Sequence, residues 1–222
     1  MNRYVQAGLV TAAILAVVFA TVWLMDDSRI SVLNGEIDSL SLESETNRIL
    51  FFHNQVFDPS ESSAFCEVID KSATIRSNEG DLFFSKLAAF ENANLLGNYG
   101  SLKKKYLLNR IELWLYTTML KQKCRTNVVS VLYFYRTHPP CAECQVQGEI
   151  LEVVREKCPN VKIFALAVDE DVDLVPLIQA QYGVTAVPSL VIDNNVVLGS
   201  LTDQNKLLSI VSCDDKVVLF QN

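Results

Sequence analysis

Apolar and polar positions fall into three successive patterns along this chain. From Val5 to Met25 no charged residue interrupts a largely apolar run. A helix of that length, at about 1.5 Å per residue, matches the roughly 30 Å of a bilayer's hydrocarbon core. Val18-Phe19-Ala20 loosely resembles a small-residue cleavage site, which makes a cleaved signal peptide the rival reading. The apolar run continues past it, however, and Trp23 suits a membrane interface. The expectation is an uncleaved transmembrane anchor within residues 1–27.

The second pattern, over residues 28–126, is helical. Ile30, Leu33, Ile37 and Leu40 recur at three- and four-residue steps and mark one helix face. Asp58-Pro59-Ser60-Glu61 has the order of a helix start: a capping aspartate, a first-turn proline and a glutamate three residues on. Phe65, Cys66, Ile69 and Ala73 share a face of the helix that follows. Asp81 is expected to cap a further helix, Leu82 to Leu96, stopped by Gly97. A last helix from Ser101 carries the stripe Tyr99, Leu102, Tyr106, Leu113, Tyr116 and Leu120, thickened by Leu108, Ile111 and Leu115. A band that wide contacts two neighbours, so a small helical bundle is expected.

At Asn127 the pattern changes again. Val128 to Tyr135 is a strand by its β-branched and aromatic content. Gln145 to Lys157 is helical, Val161 to Val168 a second strand, and Asp173 to Tyr182 a helix ending at Gly183. Ser189–Asp193 and Val196–Ser200 flank Asn194-Asn195 as a hairpin with a two-residue turn. Asp203 caps a final helix through Val211. The order β-α-β-α-β-β-α over residues 127–222 predicts an α/β fold, a mixed sheet with helices on both faces.

Charge narrows the function classes. Half of the 222 residues are hydrophobic and a fifth charged, enough to bury a core, and the net charge is −7. With no long basic run, a nucleic-acid partner is not expected; Lys103-Lys104-Lys105 fits a solvated helix face. Lysines and arginines nearly balance across the apolar segment, Arg3 before it and Arg29 after. A short N-terminus with a large C-terminal body favours a cytoplasmic N-terminus and an extracytoplasmic body. All six cysteines would then lie outside the cytoplasm.

The candidate chemistry lies in Cys141-Ala142-Glu143-Cys144. At a helix start this spacing puts both sulfurs on one turn, where orphan amides and the helix dipole favour an anion at the first. A thiol of pKa about 8.5 is only a few per cent thiolate at neutral pH, and lowering it to about 7 gives half. A dipole term of about 1–2 kcal/mol is the right size. His138 and Glu143 are candidates for tuning, the first by adding positive character, the second by opposing the thiolate. A zinc site needs four ligands. There is no second Cys-x-x-Cys, and the only histidines are His53 and His138, so no metal and no diffusible cofactor are expected.

Strand, Cys-x-x-Cys, helix, strand, helix, then "GVTAVPSLVI" with a hairpin and a helix: residues 127–213 resemble a thioredoxin-like domain. The resemblance implies that Cys141 is the attacking thiolate and Cys144 the resolving one. It also implies a cis Val187–Pro188 bond, with Val187 and Pro188 offering backbone groups to an extended substrate, and protein thiols or disulfides as partners. The chain departs from the family pattern in the strand Val131–Tyr135, which has no acid where that strand usually carries a buried one, and at Ala165, in place of that acid's lysine partner. Two extra residues lengthen the connection to the pair, and Pro140 stands for the usual tryptophan. Cys66 and Cys124 lie on two predicted bundle helices; a bridge there is worth about 4 kcal/mol on chain-entropy grounds. In this fold Cys158 and Cys213 end helices on one sheet face and are candidates for a second bridge; buried free thiols are the alternative for all four. Two readings result: a membrane-anchored extracytoplasmic thiol–disulfide oxidoreductase with a membrane redox partner, or a non-catalytic binding module on the same fold.

Overall fold

The computed structural model describes residues 12–21, 63–92 and 99–214, in two compact units, Met1–Asp58 and Pro59–Asn222. In the first unit residues 12–21 form helix α1, with Ile14, Leu15, Val17 and Phe19 exposed. Among the described residues no helix is long and apolar enough to cross a membrane. The rest of the span expected over 5–25 lies outside them, as do the stripe at Ile30–Leu40 and the helix start at Asp58–Glu61.

The second unit runs α2 (Ser63–Asn92), α3 (Tyr99–Cys124), β1 (Val129–Tyr135), α4 (Ala142–Lys157), β2 (Val161–Ala167), α5 (Leu174–Tyr182), β3 (Ser189–Ile192), β4 (Val196–Leu198) and α6 (Gln204–Ile210). The strands form one mixed sheet in the order β2-β1-β3-β4. β1 lies parallel to β2, with Tyr133 opposite Ala165, and antiparallel to β3, with Val131 opposite Ile192. The parallel pair needs a crossover connection, which α4 supplies.

Because side chains alternate across a strand, β1 serves two cores. Val129, Val131 and Tyr133 join Leu151, Val154, Leu190, Leu207 and Val211 in a cluster under α4 and α6. Leu132 and Phe134, both fully buried, point to the other face, together with Phe164 and Leu166 of β2. There α3 supplies the cover, so the composition change at Asn127 marks a change of element inside one compact unit. Trp114 donates from its indole to Asn194 Oδ1 at 3.1 Å, Asn194 donates to Thr118 at 3.2 Å, and Lys121 pairs with Asp193 at 2.7 Å. Leu107 and Trp114 are buried on this helix, whereas Leu108, expected to thicken its stripe, is exposed. Lys103 and Lys104 are not free on a solvated face: they pair with Glu170 and Asp171 in the loop after β2.

These anchors also correct the hairpin. Ile192 pairs with Val196, and the positive φ angles fall at Asp193 (52°) and Asn194 (59°), one residue earlier than the turn expected at Asn194-Asn195. Asp193 is held there by the Ser130 amide at 3.1 Å as well as by Lys121.

The largest departure from the sequence pattern is α2, which runs unbroken through Gly80-Asp81 where a helix break was expected. Gly80 is a point of close approach, not a breaker. A Cβ there would fall inside contact of the Arg110 guanidinium and 2.6 Å from Asn109 Oδ1. Around this crossing Arg76 pairs with Glu79 and, at 3.1 Å, with Glu112; Asn109 donates to the Arg76 carbonyl at 3.0 Å. Removing one member of such a buried charged set costs about 3–5 kcal/mol. A disulfide joins Cys66 near the start of α2 to Cys124 at the end of α3, closing 58 positions of chain.

The Gly80 contact makes a prediction. Asn109 is tied through its amide and Arg110 lies over the Tyr106 ring, so neither yields easily to a methyl group. Gly80→Ala should therefore cost about 1–3 kcal/mol despite alanine's better helix propensity. Gly100→Ala, with open space around it, should be neutral or mildly stabilising. Urea denaturation of both variants checks the pair; equal midpoints would remove the close-approach explanation.

Candidate active site

The site grows from the point where β1 ends. After Tyr135 the chain must turn into α4, and it does so through Arg136–Pro140, with a cis bond at His138–Pro139 that the sequence did not suggest. The carboxylate of Asp169, in the loop after β2, holds this turn. It accepts from the Thr137 amide at 3.0 Å, the Thr137 hydroxyl at 2.6 Å and the His138 amide at 2.7 Å. Burial alone would raise its pKa, but these donors outweigh it and hold the carboxyl below the ordinary range. His138 is exposed, its Nδ1 3.1 Å from Thr137 Oγ1 and 3.9 Å from Asp169.

Cys141 is the N-cap of α4, with extended backbone, and its sulfur accepts the Cys144 amide at 3.1 Å. Helix amides at this position have no intrahelical partner, so a sulfur there satisfies one of them. The two cysteines are joined, with S–S 2.02 Å and Cα–Cα 5.2 Å. They are not equivalent: Cys141 is half-buried, whereas Cys144 is 3% exposed. Glu143 stands exposed in the first turn. The Val187–Pro188 bond is cis, Pro188 is buried, and Val187 and Cys141 rest on the same core cluster. The Ser189 hydroxyl donates to the Ala186 carbonyl at 2.6 Å and closes that loop.

Two buried groups brace the helix that carries the pair. Tyr133 donates its hydroxyl to the Cys144 carbonyl and stacks on Tyr135, ring centroids 5.4 Å apart. Burial, then the neighbouring Tyr135, pushes its pKa well up. Gln147, fully buried, accepts from the Thr202 amide at 2.7 Å and donates to its carbonyl at 3.3 Å, tying α4 to the chain before α6. At the other end of α4, Cys158 is bonded to Cys213. Sequence reasoning identified neither Asp169 nor Gln147 as site residues. Asp169, directly after a strand, carried a weak signal as a candidate loop cap; a buried glutamine inside an amphipathic helix carries none.

Residues 130–212 match the family model described as a thioredoxin domain. This segment, less than half of the chain, resembles the thioredoxin-like superfamily. Among solved structures it is similar to thioredoxin O2 from Arabidopsis thaliana, at 21% identity over 46% of this chain and 84% of that one, TM-score 0.34. It is also similar to mitochondrial thioredoxin 3 from Saccharomyces cerevisiae, at 24% identity over 45% and 87%, TM-score 0.33. Fasciola hepatica thioredoxin gives 20% identity over 44% and 89%, TM-score 0.34. No curated protein matches the chain. Proteins with this fold are in general thiol–disulfide oxidoreductases.

The Asp169 clamp sets a pH dependence. Its folded-state pKa lies below the unfolded value, so its stabilisation is complete above roughly pH 4–5 and lost as pH falls through the folded pKa. At neutral pH Asp169→Asn should cost about 1–2 kcal/mol. The gap between the two proteins should close on acidification below the folded pKa. Thermal melts across pH check this; a gap that does not shrink at all as pH falls would rule out the charge as its origin.

Proposed function

We propose that this chain is a membrane-anchored, extracytoplasmic thiol–disulfide oxidoreductase. The observation that carries the chemistry is the Cys141–Cys144 bond at the N-terminus of α4, Cys141 half-buried and Cys144 buried, beside a cis Pro188 loop. In the dithiol form the Cys144 amide, which already faces Sγ of Cys141 at 3.1 Å, is placed to stabilise a thiolate there. That thiolate attacks one sulfur of a substrate disulfide; the S–S bond breaks, the first substrate thiolate leaves, and a mixed disulfide forms at Cys141. Cys144 then attacks the Cys141 sulfur and releases the second substrate thiolate. Two electrons pass to the substrate and the pair is left oxidised. The same steps in reverse oxidise a substrate dithiol.

The asymmetry in exposure supports Cys141 as the residue a partner reaches and Cys144 as the resolving one. Val187 and Pro188 position the partner's backbone. For membrane attachment the support is the uncharged run Val5–Met25, together with the exposed apolar side chains of α1. The extracytoplasmic location agrees with the pairing of all six cysteines, because such bonds persist in oxidising compartments. A membrane redox protein is the partner class this arrangement suits. The absence of an acid from Val131–Tyr135, where the resemblance leads one to expect one, favours the second reading, a binding module without turnover.

Two experiments decide. Wild-type chain should reduce insulin or oxidise a dithiol peptide, Cys141→Ser should lose this entirely, and Cys144→Ser should accumulate a mixed disulfide through Cys141. Wild type without either activity, and a Cys141 that resists alkylation after mild reduction, would leave the binding reading. C-terminal reporter fusions test topology: a phosphatase that needs disulfides should be active there, and a fluorescent protein that folds only in the cytoplasm should be dark. The opposite pattern overturns the location.

A further inference from the structure

The turn that delivers Cys141 to its helix offers few points of hold. Of Arg136–Pro140, between β1 and Cys141, Pro139 and Pro140 have no amide hydrogen to donate and a fixed φ. Position therefore passes stiffly from Thr137 and His138 to Cys141, and a hold on those residues is a hold on the cysteine. Asp169 has it: its carboxylate accepts the Thr137 amide at 3.0 Å, the Thr137 hydroxyl at 2.6 Å and the His138 amide at 2.7 Å. An ionised carboxylate presents acceptors only, so no donor of its own meets those amides.

Asp169 is framed on both sides. The Val168 amide before it donates to the carbonyl of Tyr135, the last residue of β1, at 2.8 Å. Glu170 and Asp171 after it pair with Lys103 and Lys104 of α3. The loop after β2 thus joins α3 to the turn, and Asp169 is its point of grip. At the other end of the turn Cys141 is the cap of α4, with its carbonyl on the Gln145 amide at 3.2 Å and its sulfur on the Cys144 amide at 3.1 Å. A donor aimed at a thiolate favours it, and that support fades as the pair separates or tilts.

We propose that Asp169 is a positioning residue for the redox pair: through Thr137, His138 and the two prolines it holds Cys141 where its sulfur meets the Cys144 amide, with α3 as the frame. This rests on the reading of Cys141 as the attacking thiol and adds the group that keeps that thiol poised. The carboxylate has two effects of opposite sign. Its charge works against a thiolate nearby, so by charge alone its removal would favour the thiolate. Its hold on the turn supports the thiolate, so by position its removal disfavours it. The second effect is the larger.

The test uses the reduced full-length chain at a temperature where every variant is folded. Alkylation of Cys141 is followed across pH by mass spectrometry, and the Cys141–Cys144 couple is equilibrated with glutathione buffers. Asp169→Asn should raise the pH midpoint of Cys141 alkylation. It should also move the couple about threefold toward the disulfide, because the dithiol form loses thiolate stabilisation. Thr137→Val, which removes the hydroxyl bond, should shift both readings the same way by less, as should Lys103→Gln combined with Lys104→Gln. A midpoint that falls in Asp169→Asn, or a couple equal to wild type, overturns the proposal; an unmoved couple in the paired lysine variant overturns the part given to α3. Neither reading needs a substrate protein. A wild type inactive on insulin whose couple still responds to Asp169→Asn would sink turnover and leave the positioning role. An active wild type with an indifferent Asp169→Asn would sink the positioning role alone.

Discussion

Strand β1 has water on neither face, and that requirement arranges what surrounds it. Val131 and Tyr133 need a cover on one side, Leu132 and Phe134 on the other. Pairing β1 parallel to β2 demands a crossover, and the crossover must begin where β1 ends. The N-terminus of α4 is thereby brought to the C-terminal edge of the sheet, with its unpaired amides directed away from the core. A cysteine at the cap meets one of those amides; a cysteine one turn later points inward. The unequal exposure of Cys141 and Cys144 is thus a consequence of sheet topology before it is a property of the cysteines.

The second face explains the helices before the sheet. α5 is too short to cover Leu132, Phe134, Phe164 and Leu166 alone, and α3 lies against the same strands. α3 is positioned by contacts from both ends: Lys103 and Lys104 to the loop after β2, Trp114, Thr118 and Lys121 to the β3–β4 turn. Each exposed ion pair contributes little by itself. The Trp114 indole and the Asn194 amide satisfy each other's neighbourhood where water is largely excluded, and such bonds are expensive to leave unmade. The same loop after β2 carries Asp169, so the helix pair and the turn into Cys141 share one support.

Much of this was legible in the sequence, because runs rich in β-branched and aromatic residues, bounded by turn formers, mark strands. All four strands, the caps Asp203 and Gly183, and the helix after Cys141 follow from local pattern. What was not legible depends on a neighbour distant in sequence. Gly80 reads as a break until Asn109 and Arg110 are seen against it. The hairpin turn falls one residue early because Lys121 and Ser130 hold Asp193. Asp169 and Gln147 have ordinary local surroundings, and their partners, Thr137, His138 and Thr202, lie more than thirty residues away in the chain. Local propensity cannot report a constraint whose other half lies elsewhere.

The phenol of Tyr133, bonded to the Cys144 carbonyl, limits what the core can do for the proposed chemistry. A carboxylate under the resolving cysteine is able to take up a proton near neutral pH. A buried phenol whose pKa is pushed up stays protonated throughout the physiological range, so it donates one hydrogen bond and accepts no proton. Its bond to the Cys144 carbonyl fixes the first turn of α4, and Ala165, its register partner, leaves room for the ring. On the proposed chemistry, the proton released when Cys144 becomes a thiolate must leave through solvent or through the departing substrate thiolate. The resolving step is then governed by how a bound partner opens the route to Cys144, which makes the choice of partner a determinant of rate as well as of affinity.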